Sequence, residues 1–264
     1  MKLGCNTVLF NKLGLFEALR HLSWAGYDGA ELAFLGGMAK HVELRTDQPY
    51  VDEVASMARK LGLGLFAIEA GGTKDEIVKL FEVASRLGIP VVAVGSGGKS
   101  GDPQKTEQAF AYIRELAESA ESWGITLAVK PHVGASVYNA DTALQLVQKV
   151  DSPSLGINFD PSHLYRAGDD VAGAALKLGG RIVHSHFRDC PRRAEGPGLP
   201  EEQVPGRGKI DLLAVLRALK DAGYDGALDL EVIGAFQYPL SRQMAIAAEA
   251  RGYLNRCLQE LKLR

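Results

Sequence analysis

Three short apolar runs of the sequence lead into side chains that are able to bind a metal ion. Asp160 and His163 follow the run 155–157, His186 closes the run 182–187, and Glu231 closes the run 227–230. Carboxylates and imidazoles from the ends of separate strands can converge on one divalent cation. The spacing therefore predicts a metal centre formed by Asp160, His186 and Glu231, with His163 as a further ligand, a substrate contact or a helix-start residue. His184 shares a strand face with His186 and is expected to lie deeper, as a hydrogen-bonded histidine of the interior.

The elements that must position these residues form a regular alternation of short apolar runs and longer amphipathic segments. We predict strands at 3–8, 29–32, 63–69, 89–94, 125–130, 155–159, 181–187 and 227–232, and helices at 15–25, 50–61, 75–87, 105–123, 141–150, 171–178, 212–222 and 241–261. Eight such repeats close a (β/α)8 TIM barrel, whose active site lies at the C-terminal ends of the strands. No segment resembles a linker, so one domain, 1–264, is expected.

Polar residues collect at the C-terminal tips of the predicted strands, whereas the opposite ends are mostly glycine, small or apolar. Glu69 ends the third strand, Lys130 ends the fifth with His132 close behind, and Glu31 ends the second. Strand ends also meet solvent and tolerate charge, which is the structural explanation for any one of them. As a set, they favour a functional site, with Glu69 and His132 expected at the substrate.

Composition excludes several classes of partner. The 264 residues are 46% hydrophobic and carry a formal net charge of −2, which gives no electrostatic reason to expect nucleic acid or an anionic membrane. The three cysteines are widely spaced and form no CxxC pair, so neither a disulfide framework nor a thiolate zinc site is indicated. The N-terminus lacks a signal-type apolar segment, and we expect a cytoplasmic protein.

Five sequence motifs together resemble those of the xylose-isomerase-like TIM barrels, the clan of sugar isomerases and epimerases that also contains endonuclease IV. They are GYDGAEL (26–32), NFDPSH (158–163), HSHFRD (184–189), PGRG (205–208) and GYDG with LE (223–231). The resemblance covers essentially the whole chain. Each motif alone is weak, and their order along the chain makes the combination specific.

The resemblance implies a divalent metal, Mn, Mg, Co or Zn, and a small-molecule carbohydrate substrate. In that family the metal is held by a Glu after strand five, an Asp after strand six, a His after strand seven and a Glu after strand eight. The last three correspond to Asp160, His186 and Glu231. The resemblance also implies that His163 and Arg192 bind substrate, and that the protein forms a homodimer or a homotetramer.

The sequence departs from the family pattern at strand five, where Lys130 stands in place of the glutamate. Lys130 could act as acid, base or anchor for a substrate carboxylate or enolate, with the metal held by three protein ligands and water. His132 could supply a fourth ligand, or the ammonium could occupy the place of the cation and leave a metal-free site. A Schiff-base lysine and a purely structural partner of Asp160 or Glu231 are further alternatives.

These residues predict an enzyme that enolises a small keto sugar or sugar acid, with Glu231 as base and an enediolate intermediate. Isomerisation or epimerisation is the family's commonest outcome. Loss of one carboxylate makes a lyase the alternative, through β-elimination, dehydration or decarboxylation. An endonuclease-IV-like function would need more histidine ligands than the six His present, and a basic surface. A non-catalytic sugar-binding barrel would bind no metal.

Overall fold

The computed structural model describes residues 1–193 and 196–264 and contains a barrel of eight parallel strands. The barrel strands are β1 (Lys2–Asn6), β2 (Gly29–Leu35), β3 (Gly64–Ala70), β4 (Val91–Gly95), β5 (Thr126–Lys130), β6 (Leu155–Phe159), β7 (Ile182–Ser185) and β8 (Ala227–Leu230). Neighbours in sequence pair in parallel, and β1 also pairs with β8. A bridge between His186 and Asp229 joins β7 to β8 and closes the ring. The short strand Ala39–Lys40 pairs antiparallel with the end of β2. The predicted single TIM barrel fold is confirmed.

Helices pack around the outside of the barrel. They are α1 (Leu15–Trp24), α2 (Gln48–Leu61), α3 (Lys74–Leu87), α4 (Pro103–Ser122), α5 (Ala140–Val150), α6 (Pro161–Ala167), α7 (Val171–Leu178), α8 (Leu212–Asp221) and α9 (Leu240–Glu260). Polar caps set several of the starts: Thr73 and Glu76 form a capping box on α3, and Asn139 and Thr142 form one on α5. Within the described residues, none of these helices is long and apolar enough to cross a membrane.

The largest departure from the predicted elements is α6, which follows β6 directly. Asp160 is its N-cap: one carboxylate oxygen accepts hydrogen bonds from the backbone amides of Ser162, at 2.8 Å, and His163, at 3.4 Å. Pro161 occupies the first helical position, where its missing N–H costs nothing. The Asp-Pro-Ser-His sequence therefore encodes a helix start, and it directs His163 back over the barrel.

The barrel interior has a layer of small apolar residues, and a layer of charged residues lies closer to the C-terminal ends of the strands. Ala67, Ala93 and Ala128 form a small buried cluster with Val91. Because side chains two residues apart share a strand face, Glu69 lies one step above Ala67, and Lys130 lies one step above Ala128. Small residues in the lower layer thus leave the upper layer to long charged side chains.

Candidate functional site

A cavity of about 460 Å³ opens at the C-terminal end of the barrel. Charged and imidazole side chains line its floor, and apolar residues line its rim. The floor comprises Glu69, Lys130, His132, His163, Arg188 and Glu231. The rim includes Leu35, Met38, Pro197 and Ile233. A neighbouring cavity of about 600 Å³, lined by Gly95, Ser96, Gly97 and Gly98, lacks this convergence of charged groups. The smaller cavity is therefore the better candidate for chemistry.

Lys130 is the centre of the site. Its Nζ lies 2.6 Å from Glu69 Oε1 and 3.0 Å from Glu231 Oε1, so one ammonium bridges two carboxylates from different sides of the barrel. His186 Nδ1 lies 3.2 Å from the same Nζ. All four residues are buried. A buried ammonium with two carboxylate partners is a stable ion cluster, whereas removal of the ammonium would leave two facing negative charges.

A second layer of hydrogen bonds holds this cluster from below. Glu31 accepts from His184 of β7 and from His186 just after it, with Oε1 3.0 Å from His184 Nε2 and Oε2 2.7 Å from His186 Nε2. Asn6 Nδ2 donates to Glu31 Oε2 at 2.7 Å and to Glu69 Oε2 at 2.8 Å. Asn6 therefore links the carboxylate under the site to the carboxylate beside Lys130, and this fixes the orientation of Glu69.

Arg188 is the second cation of the site. Its Nη2 lies 3.4 Å from Asp160 Oδ2 and 3.3 Å from Glu231 Oε2, between the two carboxylates. The same nitrogen lies 3.0 Å from His163 Nε2. Arg188 Nε donates to Ser162 Oγ at 2.8 Å, so the guanidinium is held along its length. A guanidinium fixed in this way presents a permanent positive charge to the cavity.

The loop that carries Arg188 is anchored to the barrel. Asp189 accepts hydrogen bonds from the backbone amides of Cys190, Gly206 and Ile210. Gly208 packs against this carboxylate, because a Cβ there would lie 2.1 Å from Asp189 Oδ1. The Pro-Gly-Arg-Gly motif thus permits the close approach that ties the two ends of the loop together. The described residues of this loop include Arg188 and Pro197, which line the cavity.

The electrostatic environment shifts the pKa values of the two carboxyl groups beside Lys130 in opposite directions. Burial and the nearby charge of Glu231 raise the pKa of Glu69 to about 7, against the attraction of Lys130. Burial also opposes ionisation of Glu231, but Lys130 and Arg188 outweigh it and hold the pKa of Glu231 well below its usual range. Glu231 is therefore ionised at neutral pH, whereas Glu69 exchanges a proton near neutrality.

Two histidines of the site carry opposite shifts. Burial lowers the pKa of His163, and nearby Arg188 adds to the effect, so the imidazole is neutral. Burial also opposes the charge on His186, but Glu31 outweighs it and raises the pKa of His186 well above its usual value. The site thus offers a neutral imidazole at its edge and a positively charged one beneath Lys130.

Asp229, one step below Glu231 on β8, is buried and lacks a hydrogen-bond partner for either carboxylate oxygen among the described residues. Burial, followed by repulsion from Glu31, raises its pKa to about 7, against the opposing charge of His184. Gly4 makes room for this carboxylate, since a Cβ there would lie 1.9 Å from Asp229 Oδ1. Asp229 is thus a strained, proton-binding group under the site.

The structure brings most of the residues expected from the sequence to one cavity. Glu69, Lys130, His132, His163 and Glu231 line it. His186 lies under Lys130, and Asp160 lies behind Arg188. Arg192 is exposed and is not among the residues that line the cavity.

Arg188 and Asn6 are the important residues of the site to which the sequence argument assigned no role. Asn6 lies within the first predicted strand and ends the observed β1, and Arg188 lies in the HSHFRD motif. The presence of Arg188 in that motif, four residues before Arg192, could have identified it as the arginine of the site.

Two groups of three described residues place potential metal-ligand atoms within 4.8 Å of one another. The groups are Glu31, His184 and His186, and Glu69, His186 and Glu231. The expected set, Asp160 with His186 and Glu231, is not among these groups of described residues. In the second group the Lys130 Nζ already contacts all three members, and in the first group both oxygens of Glu31 are hydrogen-bonded to imidazole nitrogens. In the second group, therefore, the Lys130 ammonium stands where a divalent ion would have to bind.

Comparison with known proteins shows the family. The family model described as the xylose isomerase-like TIM barrel matches residues 19–257, and the chain belongs to that family. The sequence is 26% identical to inosose isomerase of Halalkalibacterium halodurans, over 93% of each chain. It is 24% identical to fructoselysine 3-epimerase of Escherichia coli O157:H7, over 88% of this chain and 90% of the relative. An uncharacterised protein of Methanocaldococcus jannaschii, MJ1311, is 31% identical, but the match spans only 42% of that relative and 46% of this chain.

Two solved structures show the same fold. A D-tagatose 3-epimerase-like protein superposes with a TM-score of 0.80 at 20% identity, over 99% of this chain and 98% of the other. A crystal structure of IolI protein with a bound zinc atom superposes with a TM-score of 0.77 at 21% identity, over 95% of this chain and 96% of the other. At these identities the likeness establishes the fold.

Proposed function

We propose that this protein is a sugar isomerase or epimerase that acts on a small keto sugar or sugar acid through an enediolate. The observation that carries the proposal is the placement of the Lys130 ammonium between Glu69 and Glu231 on the floor of the cavity. The names of its relatives, an inosose isomerase and a fructoselysine 3-epimerase, support the same reaction class.

The reaction requires one group to remove a proton from the carbon beside a carbonyl, and one group to return it. In the proposed first step a carboxylate takes that proton, the electron pair of the C–H bond forms the new C=C bond, and the π pair of the carbonyl moves to its oxygen. A group whose pKa lies near the working pH performs such a transfer best, and Glu69, with a pKa of about 7, meets this requirement. Glu231, across Lys130, is the second carboxylate. In isomerisation the newly protonated Glu69 returns the proton to the neighbouring carbon. In epimerisation the opposite face of the same carbon receives a proton, which Glu231 must first take up from solvent because it is ionised at neutral pH.

Positive charges stabilise the enediolate oxygens. Lys130 and Arg188 remain charged because the carboxylates around them outweigh the effect of burial on each pKa. Fixed cations in a water-poor site stabilise developing negative charge without reorganisation during the reaction. The neutral imidazole of His163, at the cavity edge, is able to hydrogen-bond a substrate hydroxyl. These residues supply the base, the acid and the oxyanion stabilisation that enolisation needs.

The alternative, a lyase, was suggested by the missing carboxylate at strand five. Glu69, 2.6 Å from Lys130 Nζ, supplies a second carboxylate and removes the main reason to prefer elimination. Isomerisation or epimerisation is therefore the favoured outcome.

Proton exchange with solvent distinguishes the two reactions. We expect a panel of ketopentoses, ketohexoses, inososes and their acids in D2O to include a substrate that gains deuterium beside its carbonyl, observed by loss of the proton NMR signal. Glu69→Gln should sharply lower the exchange, and the exposed Glu107→Gln should leave it unchanged. Release of water or carbon dioxide with formation of a deoxy or shortened product would instead identify a lyase.

A further inference from the structure

The position of Lys130 has a consequence for the cation of this site. Its Nζ contacts a ligand atom of each member of the Glu69, His186 and Glu231 group, at 2.6, 3.2 and 3.0 Å. These three atoms come from three different strands or strand ends, and they surround the ammonium. An ion bound to all three of these atoms would lie in the space between them, where Nζ already contacts each one.

Arg188 closes the other approach to the same carboxylates. Its Nη2 lies between Asp160 Oδ2 and Glu231 Oε2, at 3.4 and 3.3 Å. The remaining Asp160 oxygen is engaged by the start of α6, where it accepts from Ser162 N and Ser162 Oγ at 2.8 and 2.7 Å. The carboxylate of Asp160 is therefore fully used by the helix cap and the guanidinium.

A divalent ion bound to Glu231 would have to lie about 2.0–2.2 Å from a carboxylate oxygen. Glu231 Oε1 lies 3.0 Å from a buried ammonium, and Oε2 lies 3.3 Å from a buried guanidinium. An ion at either oxygen would face one of these two cations at very short range, in a site where water cannot screen the repulsion. An ion at either oxygen would therefore require the cation beside that oxygen to move away first.

We infer that Lys130 and Arg188 take the place of the divalent cation, so that the protein works without a metal and stabilises its anionic intermediate with two side-chain cations. The catalytic part of this inference rests on the proposed function. The binding part does not, because it concerns whether the mouth of the barrel takes up an ion at all.

The binding test uses tag-free protein dialysed separately against Mn²⁺, Co²⁺ and Zn²⁺, with bound metal measured by elemental analysis. The quantity compared is the metal bound by the wild-type protein minus that bound by the double variant Glu31→Gln/Glu231→Gln, which subtracts ions on the outer surface and retains ions at either group of candidate ligands. We expect this difference to be zero for each ion. A difference of one equivalent for any of the three would overturn the inference.

Two substitutions of Lys130 test whether this lysine prevents metal binding. Lys130→Glu removes the ammonium and adds a carboxylate, so we expect it to gain one equivalent of metal and to melt at a temperature that rises with Mn²⁺ concentration. Lys130→Met removes only the charge and is the matched control, with weaker metal binding than Lys130→Glu. A Lys130→Glu variant that folds and binds no metal would contradict this reasoning. If that variant does not fold, the wild-type comparison alone decides.

The activity arm adds EDTA to the deuterium-exchange assay. We expect the wild-type exchange rate to be unchanged after exhaustive chelation, and loss of exchange that Mn²⁺ or Zn²⁺ restores would overturn the inference. If no sugar exchanges deuterium and the wild-type protein also binds no metal at either group of candidate ligands, the proposed function fails while the metal-free site stands.

Discussion

Replacement of Lys130 by methionine isolates the contribution of the buried ammonium to stability. The substitution keeps an unbranched apolar side chain in place and removes the charge that separates Glu69 from Glu231. Because Nζ lies 2.6 Å from one carboxylate oxygen and 3.0 Å from the other, these two oxygens are at most about 5.6 Å apart. At that distance and an effective dielectric constant of 20, Coulomb's law gives about 3 kcal/mol of repulsion between the two charges.

The loss should depend on pH. Burial and the charge of Glu231 already raise the pKa of Glu69 in the wild-type protein and the attraction of Lys130 opposes them, so removal of Lys130 raises that pKa further. A carboxyl whose folded-state pKa is raised stabilises the folded protein below its unfolded pKa and loses that contribution as pH rises through the folded value. The wild-type pKa of Glu69 is about 7, so the variant continues to lose stability above pH 7, where the wild-type protein does not.

We therefore expect Lys130→Met to lower the free energy of unfolding by about 3–5 kcal/mol at pH 8, and by less at pH 6. Urea denaturation of the wild-type protein and the variant at pH 6 and pH 8 measures the loss of free energy of unfolding at each pH. Lys149→Met is the control, since Lys149 pairs with Glu107 at 2.7 Å on the exposed surface and should cost at most about 1 kcal/mol. A Lys130→Met variant that loses no more than this control, or that loses the same amount at both pH values, would refute the ion cluster.

Four further substitutions test separate parts of the site. Glu69→Gln should lower the rate of deuterium exchange by about 10²–10⁴-fold. It should also remove the rise in rate that the wild-type protein shows as pH increases through about 7. A variant that retains this rise would exclude Glu69 as the base. Arg188→Gln should lower the exchange rate by about 10²–10³-fold if the guanidinium stabilises the enediolate, and an unchanged rate would contradict that role. Asp229→Asn should raise the free energy of unfolding at pH 8 by about 1–4 kcal/mol. The reason is that the raised pKa of Asp229 makes its ionised form costly in the folded protein, and that cost grows as pH rises towards 7. Equal stability of the two proteins at pH 8 would show that the carboxylate has a partner. Gly4→Ala should lower the melting temperature, because its Cβ would lie 1.9 Å from Asp229 Oδ1, and calorimetry showing no change would contradict this close packing.

The order of the elements could be predicted from the sequence because each carries a local signal. Buried parallel strands appear as continuous apolar runs, and the helices between them show a helical period. The helix α6 was missed because its apolar pattern is short, and because Asp160 was interpreted only as a metal ligand. Its carboxylate caps the helix through the amides of Ser162 and His163, and a cap and a ligand look the same in a sequence.

The location of the site could also be predicted, since polar tips of parallel strands meet at one end of a barrel. What could not be predicted was which side chains touch. The sequence suggested Asp160 as a partner of His186 and Glu231, whereas Arg188 lies between Asp160 and Glu231. Glu69 lines the cavity, as expected of a substrate contact, and its pairing with Lys130 was not foreseen. Such pairings depend on side-chain reach across the barrel, which no local pattern records.

The charge of the site explains how a lysine can stand where the family resemblance implies a glutamate. A glutamate with a bound divalent ion contributes a net charge of +1 to its surroundings, and a lysine ammonium contributes the same +1. The carboxylates Glu69 and Glu231 therefore face the same total charge in either arrangement. Lysine at position 130 keeps the balance only if the metal is absent, because a divalent ion in addition would leave an excess of two positive charges in a buried site. If Lys130 and Arg188 replace the divalent cation, as inferred above, the lysine and the absence of the ion belong to one change, and Lys130→Glu should permit metal binding that the neutral Lys130→Met supports less well.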